Sequence, residues 1–194
     1  MPKLWNETIE AHRRAVHDAI LDATVELAAE HGAMTVTMSQ IAEKSGIGRA
    51  TLYKYFPDVP AILLAWRDRE IATHLARLVE ARDRSDEPGR RLAAVLDTYA
   101  GNQRDRLRHH ALLGPELGAL LHRHHHATDA HRQVTELLRD LIADAARSGS
   151  VRADVPPAEL ATYCVHALHA AAALPSAAAV RRLVAVTLAG LRTP

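Results

Sequence analysis

Met38-Ser39-Gln40-Ile41-Ala42-Glu43-Lys44-Ser45-Gly46-Ile47-Gly48-Arg49-Ala50-Thr51-Leu52-Tyr53-Lys54-Tyr55-Phe56 spells two short helices joined by a tight turn. Ile41 and Ala42 lie just before the turn, and Ile47 and Leu52 follow at spacings that face the same interior. A small side chain at Ala42 lets the second helix cross closely over the first. Gly46 suits the left-handed backbone such a turn needs, where a Cβ would clash. The second helix then carries Gly48, Arg49, Ala50, Thr51, Tyr53, Lys54 and Tyr55 on its outer side, within reach of phosphates and base edges in a major groove. An ordinary helical hairpin is the plainer alternative, but turn, interior and polar face agree on a helix-turn-helix.

Working outward, a first helix is expected from about Thr8 to His31, with Val16, Ala19, Ile20, Ala23, Leu27 and Ala28 as its apolar stripe and Gly32 ending it. Thr37 is placed to cap the second helix, with Gln40 three residues on as capping-box partner. The recognition helix spans about Arg49–Tyr55. Pro57 and Pro60 separate it from a fourth helix running to about Arg82, which Asp58 can cap. The inward face of that helix is Ile62, Trp66, Ile71, Leu75, Leu78 and Val79.

Beyond the break at Ser85-Asp86-Glu87-Pro88-Gly89, further amphipathic helices follow, interrupted at Gly114-Pro115. A short helix with Leu117, Leu120 and Leu121 is expected there, then one from about Thr128 to Arg147. Another is opened by Pro156-Pro157 and capped by Asp154, and the last is capped by Ser176 and runs to about Leu191. The final two are apolar over a wide arc that includes Leu160, Leu168, Leu183, Val184, Val186 and Leu188. Such helices bury more than one face, and the same pair in a second copy of the chain would make a four-helix interface.

The composition fits this all-α class. Of 194 residues 48% are hydrophobic, rich in Ala and Leu, with one Phe and two Trp. The single cysteine, Cys164, excludes an intrachain disulfide and suits a reducing cytoplasm. No apolar run resembles a signal peptide, and the Ala-rich stretch near Ala170 is interrupted by His166, His169 and Pro175, so no membrane span is expected. Charge is neutral on the question of DNA. The whole chain is +1, and residues 1–60 hold six basic side chains against eight acidic ones. Within residues 38–58 Lys44, Arg49 and Lys54 outnumber Glu43 and Asp58.

Gly48-Arg49-Ala50-Thr51-Leu52-Tyr53-Lys54-Tyr55-Phe56-Pro57, with Ala28-Ala29-Glu30-His31-Gly32, Thr35-Val36-Thr37-Met38 and Ile41-Ala42, resembles the signature of TetR-type transcriptional regulators over about residues 10–65. The resemblance implies a homodimer with a helix-turn-helix domain, here residues 1–57, and an effector-binding and dimerisation domain, here 58–194. It implies a repressor that binds a near-palindromic double-stranded operator and is released by a small-molecule effector, with no cofactor. By the same resemblance Thr51, Tyr53 and Tyr55 clamp phosphates, unless one of the paired aromatics packs beneath the first helix, an alternative weighed more for Tyr53 than for Tyr55. Arg49 can pair with guanine through its planar fork or hold a phosphate. Lys54 points outward, and Thr37 and Lys44 lie where the flanking DNA backbone should pass. Similar proteins often carry a lysine at the start of the fourth helix. Here the residues are Asp58-Val59-Pro60-Ala61, so one phosphate contact is missing.

Nine of thirteen histidines fall between His109 and His169. His122 with His126, and His166 with His169, have spacings that share a helix face, which raises a metal-responsive regulator as the alternative. Consecutive histidines point in different directions around a helix, however, and thiolates are nearly absent. We therefore expect no metal site, and an organic-effector pocket edged by Trp66, Tyr99, His109 and His122. Tyr163 and Cys164 can reach either that pocket or the dimer seam. A helical metalloenzyme is disfavoured because no Glu-x-x-His, Walker A loop or Gly-x-Ser-x-Gly elbow is present. A helical adaptor that has lost DNA binding is the remaining rival, kept alive by the unremarkable charge.

Overall fold

In the computed structural model, residues 2–113 and 126–192 are described, with side chains over 8–106 and 129–192. The expected break at Gly114-Pro115, the short helix around Leu117 and Leu121, His122, and the side chains of His109 and His126 lie outside that set.

Among the described residues there are eight α-helices and no strand. Helix α1, Pro2–His31, ends where Gly32 takes φ 89°, and a 3-10 turn, Ala33–Thr35, leads to α2, Met38–Ser45. The capping box at the start of α2 forms as the sequence requires. The Gln40 backbone N–H donates to Thr37 Oγ1 at 3.3 Å, and the Thr37 N–H donates to Gln40 Oε1 at 2.9 Å. Gly46 closes α2 at φ 69°, in the left-handed region. Helices α3, Arg49–Tyr55, and α4, Val59–Asp83, follow, and Asp58 Oδ1 accepts the Ala61 N–H at 2.8 Å. After these come α5, Pro88–Leu113; α6, His126–Arg147; α7, Pro157–His169; a 3-10 turn, Ala170–Ala173; and α8, Ala177–Gly190.

The chain divides into two compact units, one holding residues 2–70 and 110–113 and the other residues 71–109 and 126–192. The first packs Ile20, Leu21 and Ala28 of α1 with Ile41 of α2, Leu52 of α3, and Ile62, Leu63 and Trp66 of α4. The stripe on α1 buries Ile20, Ala23, Leu27 and Ala28 as the spacing suggested, with Val16 packed against them. Ala19 is exposed, and Leu21 and Thr24 join the interior, the Thr24 hydroxyl donating to the Ile20 carbonyl at 2.7 Å.

The second unit is built on Leu78 and Ala81 of α4, Leu92, Leu96 and Tyr99 of α5, Leu138 and Ile142 of α6, Leu160, Cys164 and Leu168 of α7, and Val180 and Val184 of α8. Val79, expected inside, is exposed, and Ala81 takes the inward place. Two caps differ in outcome. Ser176 Oγ accepts the Ala179 N–H at 3.1 Å and starts α8 as expected. Asp154 does not cap α7: its carboxylate pairs with Arg152, and Pro156 occupies the cap position without a side-chain hydrogen bond. Proline at the first helical turn already fixes φ and lacks an N–H that would need a partner. The broad apolar arc of α8 is only partly used within one chain, since Val186 is 65% exposed.

Candidate nucleic-acid interface

The short helix α3 is held by its inward residues and presents the rest. Leu52 is fully buried and Phe56 nearly so, with the His17 ring of α1 at 5.1 Å from the Phe56 ring. Arg49, Ala50, Thr51 and Lys54 are exposed, as is Gly48, which precedes the first turn. Tyr53 is 48% exposed, whereas Tyr55 is half-buried against the core of the first unit. The aromatic that packs beneath is therefore Tyr55, and the ring at Tyr53 stands outside. Leu52 and Tyr55 lie three apart along the buried side of the helix, and Tyr53 and Lys54 turn away from it, with Arg49 at the exposed first turn.

Thr37 is exposed, but its hydroxyl serves the capping box. Lys44 is exposed but ion-paired. Its Nζ lies 2.9 Å from Glu30 and 3.2 Å from Glu26 on α1, and the hydrogen bond to Glu30 raises its pKa while holding Glu30 below the usual carboxylate range. At the other end of the same stripe, Arg69 of α4 reaches Asp18 at 3.2 Å and also Asp22. Asp18, Asp22, Glu26 and Glu30 recur every four residues, so they form a single acidic ladder along α1. Like charges at this spacing repel, and the two cations from α2 and α4 offset that repulsion while tying both helices to α1. Neither brace was read from the sequence, although the four-residue acidic period was there to be found.

Of the residues expected to edge an effector pocket, Trp66 is buried in the first unit and Tyr99 in the second. Burial raises the pKa of the Tyr99 phenol, which shares a hydrogen bond with Gln103. Tyr163 is 44% exposed on α7, and its hydroxyl lies where a Cβ on Gly190 would come within 3.2 Å, so the glycine lets the ring lie against α8. Cys164 is fully buried, and desolvation pushes its thiol up to about 12, which leaves it protonated and unreactive at neutral pH. A cleft of about 320 Å³ in the second unit is lined by Glu87, Arg90, Ser150, Leu188 and Arg192 and by none of the expected pocket residues. Among the described residues no group of three or more His, Cys, Asp or Glu side chains is arranged to hold a metal ion, and no helix is long and apolar enough to cross a membrane.

Comparison with known proteins matches both units. Residues 20–65 match the family of bacterial regulatory proteins of the tetR type, and residues 88–193 match the C-terminal domain of SbtR-like transcriptional regulators. A Mycobacterium tuberculosis transcriptional regulator named for mycofactocin biosynthesis, MftR, is 40% identical over 67 residues, a stretch covering 34% of this chain and 32% of the relative. The chain thus matches about a third of that relative's length. Among solved structures, a TetR/AcrR-family regulator from Thermobifida fusca superposes with a TM-score of 0.74 at 22% identity, covering 91% of this chain and 98% of that one. The regulator FadR from Bacillus subtilis, solved with stearoyl-CoA, gives a TM-score of 0.63 at 17% identity over 90% and 98% of the two chains.

Proposed function

Because the chain belongs to the TetR family of transcriptional regulators, whose helix-turn-helix binds DNA, we propose that it is a repressor whose dimer holds a near-palindromic operator until a small organic effector releases it. The observation that carries this reading is the outer face of α3, where Arg49, Thr51, Tyr53 and Lys54 are exposed on a helix anchored by Leu52. Arg49 would read a guanine or grip a phosphate, Tyr53 and Thr51 would clamp the backbone, and Lys54 would add a phosphate contact. Gly48 and Ala50 allow close approach. Lys44 belongs to the brace on α1 rather than to a phosphate, and Tyr55 supports α3 from beneath. Thr37 sets the start of α2.

The dimer would form through α7 and α8, supported by the exposed Tyr163 and Val186. Residues 1–57 would read DNA and 58–194 would bind effector and partner, with α4 shared between the two tasks, since its first turns carry Trp66 in the first unit and its last turns carry Leu78 in the second. An effector shifts the equilibrium only by its differential affinity for the DNA-competent and released conformers. FadR, solved with an acyl-CoA, supports an organic effector. The Arg69 brace gives α4 a direct hold on the reading head. Selecting an operator from random duplexes and then measuring its affinity for the Arg49→Ala, Lys54→Ala double variant tests the reading. Unchanged affinity in a folded double variant would refute it.

A further inference from the structure

The α5, α6 and α7 helices of the second unit bring together four nitrogen-bearing side chains that the DNA-reading face does not involve. Arg106 of α5 lies 3.5 Å from His169 Nδ1 on α7, through its Nη2. His166 sits one turn before His169, and the His131 ring of α6 is 6.5 Å from the His166 ring. Among the described residues, the charged groups that act on His169 are Arg106, His166 and His131, every one a cation or a potential cation. Among the described residues, the acids next to these side chains along α5 and α6 have partners of their own: Asp105 with Arg77 at 3.5 Å, and Asp129 and Glu136 with Arg132 at 3.4 and 3.3 Å. Beneath Arg106 on the same stripe of α5, Gln103 is 6% exposed and its Oε1 has no hydrogen-bond partner, among the described residues the one buried side-chain polar atom left so. A buried acceptor without a donor is a penalty in the free protein that a ligand supplying the donor removes.

These features select a ligand. A guanidinium against His169 opposes a divalent cation, which wants neutral imidazoles and carboxylates around it. Four N–H donors with no carboxylate among them suit an anion. Residues 103 and 106 are about 4.5 Å apart along the helix axis, so a donor a few ångströms from the acid group would meet Gln103. We propose that Arg106, His131, His166 and His169 bind the acid group of a hydroxylated organic anion, whose hydroxyl donates to Gln103 Oε1. The proposal rests on the reading of the C-terminal unit as the effector domain and names the class of effector.

The experiment is a pH titration of the histidine ring signals of the full-length protein by NMR, assigned with single His→Gln variants, with para-hydroxybenzoate as probe. A bound anion favours the imidazolium, so the His169 midpoint should rise by about one pH unit, the equivalent of tenfold tighter binding to the protonated form. Neutral para-hydroxybenzyl alcohol should leave it in place. Arg106→Gln, an exposed change that spares the fold, should weaken para-hydroxybenzoate by about tenfold or more. Gln103→Leu should weaken para-hydroxybenzoate and leave benzoate unchanged. If para-hydroxybenzoate, benzoate and phosphate all leave His131, His166 and His169 unmoved, or if zinc chloride moves the three rings and the anions do not, the proposal falls. Equal weakening of benzoate and para-hydroxybenzoate by Gln103→Leu overturns the hydroxyl contact. The titration uses no DNA, so anion binding without any change in operator affinity would remove the repressor-release reading and leave the site standing.

Discussion

The two units reach the same kind of structure by different means. The first is set by local chemistry: a capping box at Thr37 and Gln40, a left-handed Gly46, a carboxylate cap at Asp58, and one fully buried leucine, Leu52, in a seven-residue helix. The second rests on long-range packing of Ala, Leu and Val faces, and one of its two expected side-chain caps, Asp154, is used elsewhere. Where each residue has a local duty, the motif is narrow and position-specific. Where stability is spread over wide faces, side chains such as Arg106 and His169 are left over for other work.

The most damaging way to probe that contrast is Leu52→Ala, which empties the centre of the first unit. It should cost about 2–5 kcal/mol in chemical denaturation and abolish operator binding. A loss below that range would mean that α3 is held by something other than its buried leucine. Val186→Glu should act in the opposite way, leaving each chain folded and separating the proposed dimer, because a charge buried unpaired in an interface costs several kcal/mol. Sedimentation equilibrium that still finds dimers would move the interface away from this face of α8. Next in size, Arg49→Ala should weaken operator binding by about 1–3 kcal/mol, and removing Lys54 should lower the salt slope by about one for each phosphate its ammonium neutralises.

Smaller effects separate the caps. Thr37→Ala should destabilise by about 1 kcal/mol, whereas Asp154→Asn should leave the melting curve where it is. The smallest is a pH effect confined to the second unit. Burial, followed by Arg106, His166 and His131, lowers the pKa of His169 below 6.5 in the fold. The unfolded chain therefore binds the proton more readily. The contribution to stability is complete above pH 6.5 and is lost as the pH falls through the folded pKa. His169→Gln should flatten the acid side of the melting profile, and an unchanged acid limb would assign the loss to other groups.

Much of the first unit was legible because its signals are short-range. Thr37 and Gln40 are three residues apart, Gly46 announces its own φ, and Leu52 lies between two exposed neighbours. Tyr55 lies three residues after the inward Leu52, so the spacing favoured covering Tyr55, whereas Tyr53 was the ring weighed more for that place. The sequence hid the partners of Lys44, which lie 14 and 18 positions upstream. In the second unit the helices were readable from their apolar period, but that period does not say which core a side chain joins: Trp66 joins the first and Tyr99 the second. Histidine pairing was sought along single helices, and His131 joins His166 from another helix, a relation no local spacing encodes.

The acidic ladder of Asp18, Asp22, Glu26 and Glu30 has a consequence for how the protein would find its site on a chromosome. Random-sequence DNA attracts a regulator almost wholly through its phosphates. Besides Arg49 and Lys54, only Lys3, Arg13 and Arg14 add positive charge within residues 1–60, and Arg13 faces Glu10, so a reading domain with this ladder and a paired Lys44 offers little to that attraction. Copies would spend little time parked on the roughly 10⁶–10⁹ competing sites of a genome, so a small pool of the protein would keep an operator occupied and respond quickly when the effector appears.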